Sequence, residues 1–166
     1  MTSTASIISI TGKPTALTVA TDGSGHYTAI NAAIAGHRTA PFPRPSFKGG
    51  TYSEFIVIQG TQTVTIAGPS ASSYADNQVV IAAAATGGAV SFNTQKSQGV
   101  VIRNINITNT VATASSKAPA FSAYGSNMLL DTVSLVSQGV GVYTANFGTT
   151  LITNSYIEGA DKLFYA

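Results

Sequence analysis

Six carboxylates, Asp22, Glu54, Asp76, Asp131, Glu158 and Asp161, are the only acids in this 166-residue sequence. Two of them in one cleft could act as a carboxylate pair, one as nucleophile and the other as proton carrier. No spacing pairs them from the sequence alone. Asp22 and Asp76 stand in turn contexts where a short carboxylate bonds neighbouring amides. Asp131 falls inside an apolar frame at a position that alternates outward. His26 and His37 are the only histidines, and without a thiol or nearby acid they complete no metal set, so no metal or other cofactor is expected. Zero cysteines exclude disulfides and thiolate nucleophiles. No G-x-S-x-G elbow and no P-loop occurs. Tyr124, Tyr143 and Tyr156 could stack on sugar rings, but scattered tyrosines in a strand protein more often pack. His26, in a GSG turn, reads as a solvated surface residue.

Composition narrows the partners. Only 8% of residues are charged, and eight basic against six acidic side chains leave a net charge of +2. The mean hydropathy is +0.24, yet no run approaches the ~20 apolar residues of a membrane helix. The basic residues are scattered singly, which speaks against nucleic acid, although a mildly basic face would suit a polyanion. The first twenty residues, MTSTASIISITGKPTALTVA, lack the charged start and apolar core of a secretory signal.

Short runs rich in Val, Ile and Thr dominate from Phe55 onward: Phe55 to Ile58, Val64 to Ala67, Gln78 to Ala83, Val100 to Ile107, Met128 to Val136 and Thr149 to Ile157. Three frames superimpose, Ile102-x-Asn104-x-x-Ile107, Leu130-x-Thr132-x-x-Leu135 and Ile152-x-Asn154-x-x-Ile157. An apolar frame that returns with a polar turn-former in one fixed place is what stacked solenoid coils require. The competing architecture, an antiparallel sandwich, calls for hairpin turns, and the one such dipeptide, Asp22-Gly23, precedes the strand region.

One helix is expected near the start, with Thr28 as N-cap, Ile30, Ala33 and Ile34 on its buried face and Gly36 as its stop. It would cover the N-terminal end of the solenoid. The segment PFPRP, with Pro41, Pro43 and Pro45, reads as a loop or an edge, because proline donates nothing to a ladder. The sequon Asn106-Ile107-Thr108 is a glycosylation acceptor if the chain is secreted.

Four segments in chain order resemble the fungal pectin methylesterases: TDGSGHYTAINAAI (Thr21 to Ile34), GGTYSEFIVI (Gly49 to Ile58), SSYADNQVVI (Ser72 to Ile81), and AFSAYGS (Ala120 to Ser126) continuing to NSYIEGA (Asn154 to Ala160). The resemblance implies an all-β fold, a right-handed parallel β-helix with a short N-terminal capping helix, as one partial domain over residues 1–166. It also implies a secreted protein whose partner is pectin or an oligogalacturonide, and neither nucleic acid nor membrane. Glu54 and Glu158, inside the resembling segments, would be coil-stacking elements.

That family hydrolyses methyl esters of polygalacturonate with an aspartate nucleophile, an aspartate acid/base and two glutamines that stabilise the oxyanion. Carried over residue by residue, the first glutamine falls on Lys117, the second on Val140 and the acid/base on Gly141. The nucleophile falls on Lys162 without a gap, and on Asp161 if one residue is deleted; Asp161 otherwise reads as a turn carboxylate. The family's orienting arginine and groove tryptophan would fall after Ala166, and the sequence contains no tryptophan. The resemblance therefore implies an esterase scaffold with little or no esterase activity. A last coil left uncovered would also invite self-association through its strand edges.

Overall fold

The computed structural model describes residues 16–35, 44–59, 64–84, 89–93, 99–111, 118–124, 127–145 and 149–165. Lys117, His37, Gly36, Pro41 and Pro43 lie outside them. The strands are β1 (Ala16–Val19), β2 (Arg44–Phe47), β3 (Gly50–Tyr52), β4 (Ile56–Gln59), β5 (Val64–Ala67), β6 (Val79–Ala83), β7 (Val90–Asn93) and β8 (Gly99–Arg103). They continue with β9 (Ile105–Asn109), β10 (Phe121–Tyr124), β11 (Asn127–Asp131), β12 (Ser134–Ser137), β13 (Val140–Ala145), β14 (Thr150–Thr153), β15 (Tyr156–Gly159) and β16 (Lys162–Tyr165). Among the described residues the one α-helix, α1 (Ile30–Ala35), is short and lies between β1 and β2.

Every third strand returns to the same sheet. Sheet A runs β1-β2-β5-β8-β11-β14, sheet B β3-β6-β9-β12-β15 and sheet C β4-β7-β10-β13-β16. All pairings are parallel. From β2 onward the described strands therefore wind three to a turn through five coils of a parallel β-helix. The crossover rule for parallel strands gives such a winding its right hand.

The recurring frame is the interior. Ile66, Ile102 and Leu130 stand in register on sheet A, followed by Ile152. Ile81, Ile107 and Leu135 do the same on sheet B, followed by Ile157. Ile56, Phe121 and Val142 line sheet C, and all of these residues before the final coil are buried. Each such side chain withdrawn from water contributes about 1.5–3 kcal/mol.

The fixed polar position is the corner between sheets A and B. Asn104, Thr132 and Asn154 have φ of 56°, 55° and 51°, a left-handed backbone that turns the chain between two strands. Asn tolerates that conformation through local hydrogen bonding, whereas a β-branched residue strains in it. Gly68 holds the same corner one coil earlier, where a Cβ would collide with the Asn104 carbonyl oxygen. Amides stack along this corner: Gly68 N–H donates to Arg103 O at 3.0 Å, Asn104 N–H to Asp131 O at 3.2 Å and Thr132 N–H to Thr153 O at 3.0 Å.

Helix α1 buries Ile30, Ala33 and Ile34, the expected face. Its cap differs from the expectation. Instead of Thr28, Glu54 from the turn before β4 accepts the Ile30 N–H at 2.8 Å and the Asn31 N–H at 3.1 Å. A carboxylate there satisfies orphan amides and opposes the helix dipole, which a threonine hydroxyl does less well. The proline expectation also needs correction, because Pro45 lies within β2, an inner strand of sheet A. The missing amide is accommodated by a thin ladder: β2 registers with β1 over four residues and with β5 only through Ser46↔Ala67.

Thr132 is the one strained member of the corner row. Thr132→Asn is expected to raise stability by about 1 kcal/mol, seen as a higher urea midpoint at unchanged m-value. An unchanged or lower midpoint would show that the corner tolerates threonine without cost.

Candidate functional site

Sheet C carries the positions that the resemblance singles out. On β13, Val140 is fully buried and faces Lys162 of β16, while Val142 faces Phe164. That register sets Leu163, not an acid, beside Gly141. Gly141 is itself buried, and a Cβ built on it would lie 2.5 Å from Ile157 Cγ2 and 2.9 Å from the Leu163 carbonyl oxygen. The last coil presses closely at a second point: a Cβ on Gly159 would overlap the Lys162 carbonyl oxygen and lie 2.5 Å from the Gly141 amide. Asp161 lies in the turn Ala160-Asp161 that joins β15 to β16. It is exposed, and its amide donates to Gly139 O at 3.0 Å. Lys162, first residue of β16, is exposed as well.

The other carboxylates are engaged locally. Asp22 accepts from the Ser24 amide at 2.9 Å and from the Ser24 hydroxyl, which also accepts from Lys48 Nζ at 2.9 Å. The hydroxyl bond from Ser24 holds its pKa below the usual value. Asp76 takes hydroxyl bonds from Ser72 at 2.6 Å and Ser73 at 2.9 Å, with the same downward effect. Asp131 accepts from Thr153 Oγ1 at 2.9 Å and Asn154 Nδ2 at 3.3 Å, and sits 3.5 Å from Arg103 Nε. The threonine bond is the chief reason its carboxyl stays more acidic than normal. It crosses the outer face of sheet A as expected. Among the described residues no three acids and histidines converge as a metal site. His26 is exposed, and its Nδ1 accepts the Thr18 amide at 3.1 Å.

Sequence reasoning did not find the strap between β5 and β6. This segment carries a 3-10 turn, Tyr74–Asp76, along the corner of the solenoid. Asn77 Nδ2 donates to Asn106 Oδ1 on β9 at 3.0 Å and to Thr132 O at 2.8 Å. Tyr74 stacks on Tyr156 of β15, with ring centroids 5.5 Å apart and planes 21° from parallel. The Tyr156 hydroxyl donates to Glu158 Oε2 at 2.7 Å, which raises the phenol pKa. No periodicity signals such a segment, since its partners lie as far along the chain as β15, the last strand of sheet B. The Asn106 sequon is consequently mid-strand and half-buried, with its amide oxygen engaged by the strap.

Solved structures give the fold a name. The chain superimposes on the Escherichia coli protein YbhC with a TM-score of 0.69 and 17% identity, over 94% of this chain and 54% of that one. It superimposes on the pectin methylesterase of Aspergillus niger with a TM-score of 0.60 and 19% identity, over 87% and 58%. The pectin methylesterase PemA of Erwinia chrysanthemi gives 0.59 and 19%, over 84% and 54%. This is a pectin-methylesterase-like fold. No protein-family model and no curated protein matches the sequence, and the chain spans a little over half the length of the solved structures it resembles.

Gly141, onto which the sequence resemblance carries an acid/base aspartate, has neither a side chain nor space for one. Gly141→Ala is expected to cost about 1–3 kcal/mol by overpacking against Ile157 and the β16 backbone, measured as a lower urea midpoint. A variant as stable as the parent would mean that the last coil yields freely, leaving room for a carboxylate.

Proposed function

We propose that this chain is a pectin-directed solenoid that holds methyl-esterified homogalacturonan of plant cell walls and hydrolyses little or none of it. The fold likeness to two pectin methylesterases supports the substrate class. The filled space at Gly141 supports the loss of chemistry, because a proton carrier there would have to displace Ile157. Val140, at the oxyanion glutamine position, offers no donor, and such a loss typically costs ~10² to 10³ in rate. The pectinesterase likeness also supports secretion into the cell-wall space, and no described helix is long and apolar enough to cross a membrane. The sole remaining nucleophile candidate is Asp161, reached only with a one-residue gap. Methanol release from methylated pectin, followed with a coupled alcohol oxidase, is expected to stay at buffer background. Clear turnover that disappears in Asp161→Asn would overturn this reading and restore the esterase.

A second reading, self-association, is favoured by the last coil. Phe164 continues the inward row of Phe121 and Val142, both fully buried, yet it is 52% exposed. Strands β14, β15 and β16 pair on one side only among the described strands. A second copy stacked on these edges would cover the apolar rung and complete the ladders. Light scattering of the 166-residue chain is expected to give a mass that rises with concentration. A monomer at every concentration would exclude it.

A further inference from the structure

The outer face of sheet B carries an exposed aromatic pair that the pectin reading does not use. Tyr156 projects from β15, in register with Ser134 and Asn106 on the two preceding strands, so the three side chains form one transverse row. Strands in such a row are about 4.8 Å apart, which makes the row a shallow track across three coils. Tyr74 reaches over the track from the strap and stacks on Tyr156, and the two residues remain 36% and 40% exposed. The Tyr156 hydroxyl is fixed by Glu158, so the ring is held in one orientation before any ligand arrives.

Rigid tyrosines offer a large amphipathic contact surface, and the half-buried Ser134 hydroxyl, beside Asn106 whose amide oxygen Asn77 occupies, adds a polar edge that orients a ligand. A pyranose ring matches this combination, with C–H faces for the aromatic rings and hydroxyl edges for the polar row. The local charge is negative, although the whole chain carries +2. Glu158 sits on the pair, and Asp76 lies two residues from Tyr74 with its carboxyl held as an anion by serine hydroxyls. A free uronate on the pair would meet the like charge of Glu158, whereas its methyl ester carries no charge to be repelled.

We propose that the Tyr74–Tyr156 face of sheet B is a saccharide subsite, separate from the sheet C positions, that takes uncharged pyranose chains, methyl-esterified uronates included, and discriminates against free uronates. The inference rests on the pectin reading for its ligand class and adds the place and the charge preference. Each like charge at contact distance in a water-like dielectric is worth on the order of fivefold in affinity. Two oligogalacturonides of equal length, one fully methyl-esterified and one de-esterified, would be titrated into the protein by calorimetry at low and high salt. The esterified chain is expected to bind at least about fivefold more tightly at low salt, and the gap should narrow as salt screens the carboxylates. Glu158→Gln should narrow it without salt. Tyr156→Ala should abolish binding of the esterified chain while far-UV circular dichroism keeps its strand signal.

Because Tyr156→Ala also removes an anchor of the strap, Glu158→Gln, which keeps the ring stack, carries the charge test independently. Equal affinity for both chains, a preference for the free uronate, or undiminished binding by a folded Tyr156→Ala protein would each overturn the subsite and leave the pectin reading standing. Binding of neither chain would overturn both.

Discussion

One winding of this chain has no interior of its own. Its aliphatic side chains leave water only when the next winding lies directly above, so Ile66, Ile102 and Leu130 exist as a column and not as separate core residues. The backbone ladders set the spacing of that column at about 4.8 Å, and side chains must fill whatever the spacing leaves. Corners obey the same spacing. Asn104, Thr132 and Asn154 turn left-handed one above another, so that the strands that follow them stay in register.

Close stacking also decides what chemistry the scaffold can hold. In a solenoid a functional side chain must project from one coil past the edge of the next, which requires that the neighbouring coil leave it room. Around Gly141 the neighbouring coil does the opposite, with Ile157 and the β16 backbone drawn against the glycine. The acids that remain are spent on turns and caps: Asp76 on two serines, Glu54 on the first amides of α1, Asp131 on Thr153 and Asn154 at the corner between sheets A and B. Each of these anions is used to close a local gap in hydrogen bonding, a structural task distributed over the surface instead of gathered in one cleft.

Columns were the legible part of the sequence. The Ile-x-Asn-x-x-Ile frame identifies two sheets and the corner joining them, since stacking repeats the same residue type at the same place. The helix face Ile30, Ala33 and Ile34 was legible for the same reason of regular spacing. Sheet C was harder. Phe121, Ser122 and Ala123 on β10, like Val140, Gly141 and Val142 on β13, are buried in succession, so the alternation that marks a half-exposed strand is absent. Pro45 misled because an inner strand tolerates proline where its second ladder is a single residue pair. The Glu54 cap and the Asn77 strap depend on partners more than twenty residues distant, which local propensity does not encode. Asp161 shows where spacing alone stops: one residue of slip separates a strand position from the turn it occupies.

A linear array of coils ordinarily frays from an end, losing one repeat at a time, because each repeat touches only its neighbours. The strap alters that connectivity. Tyr74 and Asn77 leave the second winding and engage the third, fourth and fifth through Asn106, Thr132 and Tyr156. Peeling the outermost coil therefore means breaking a tie to a coil three storeys below, which couples distant repeats and turns gradual unzipping into a collective event.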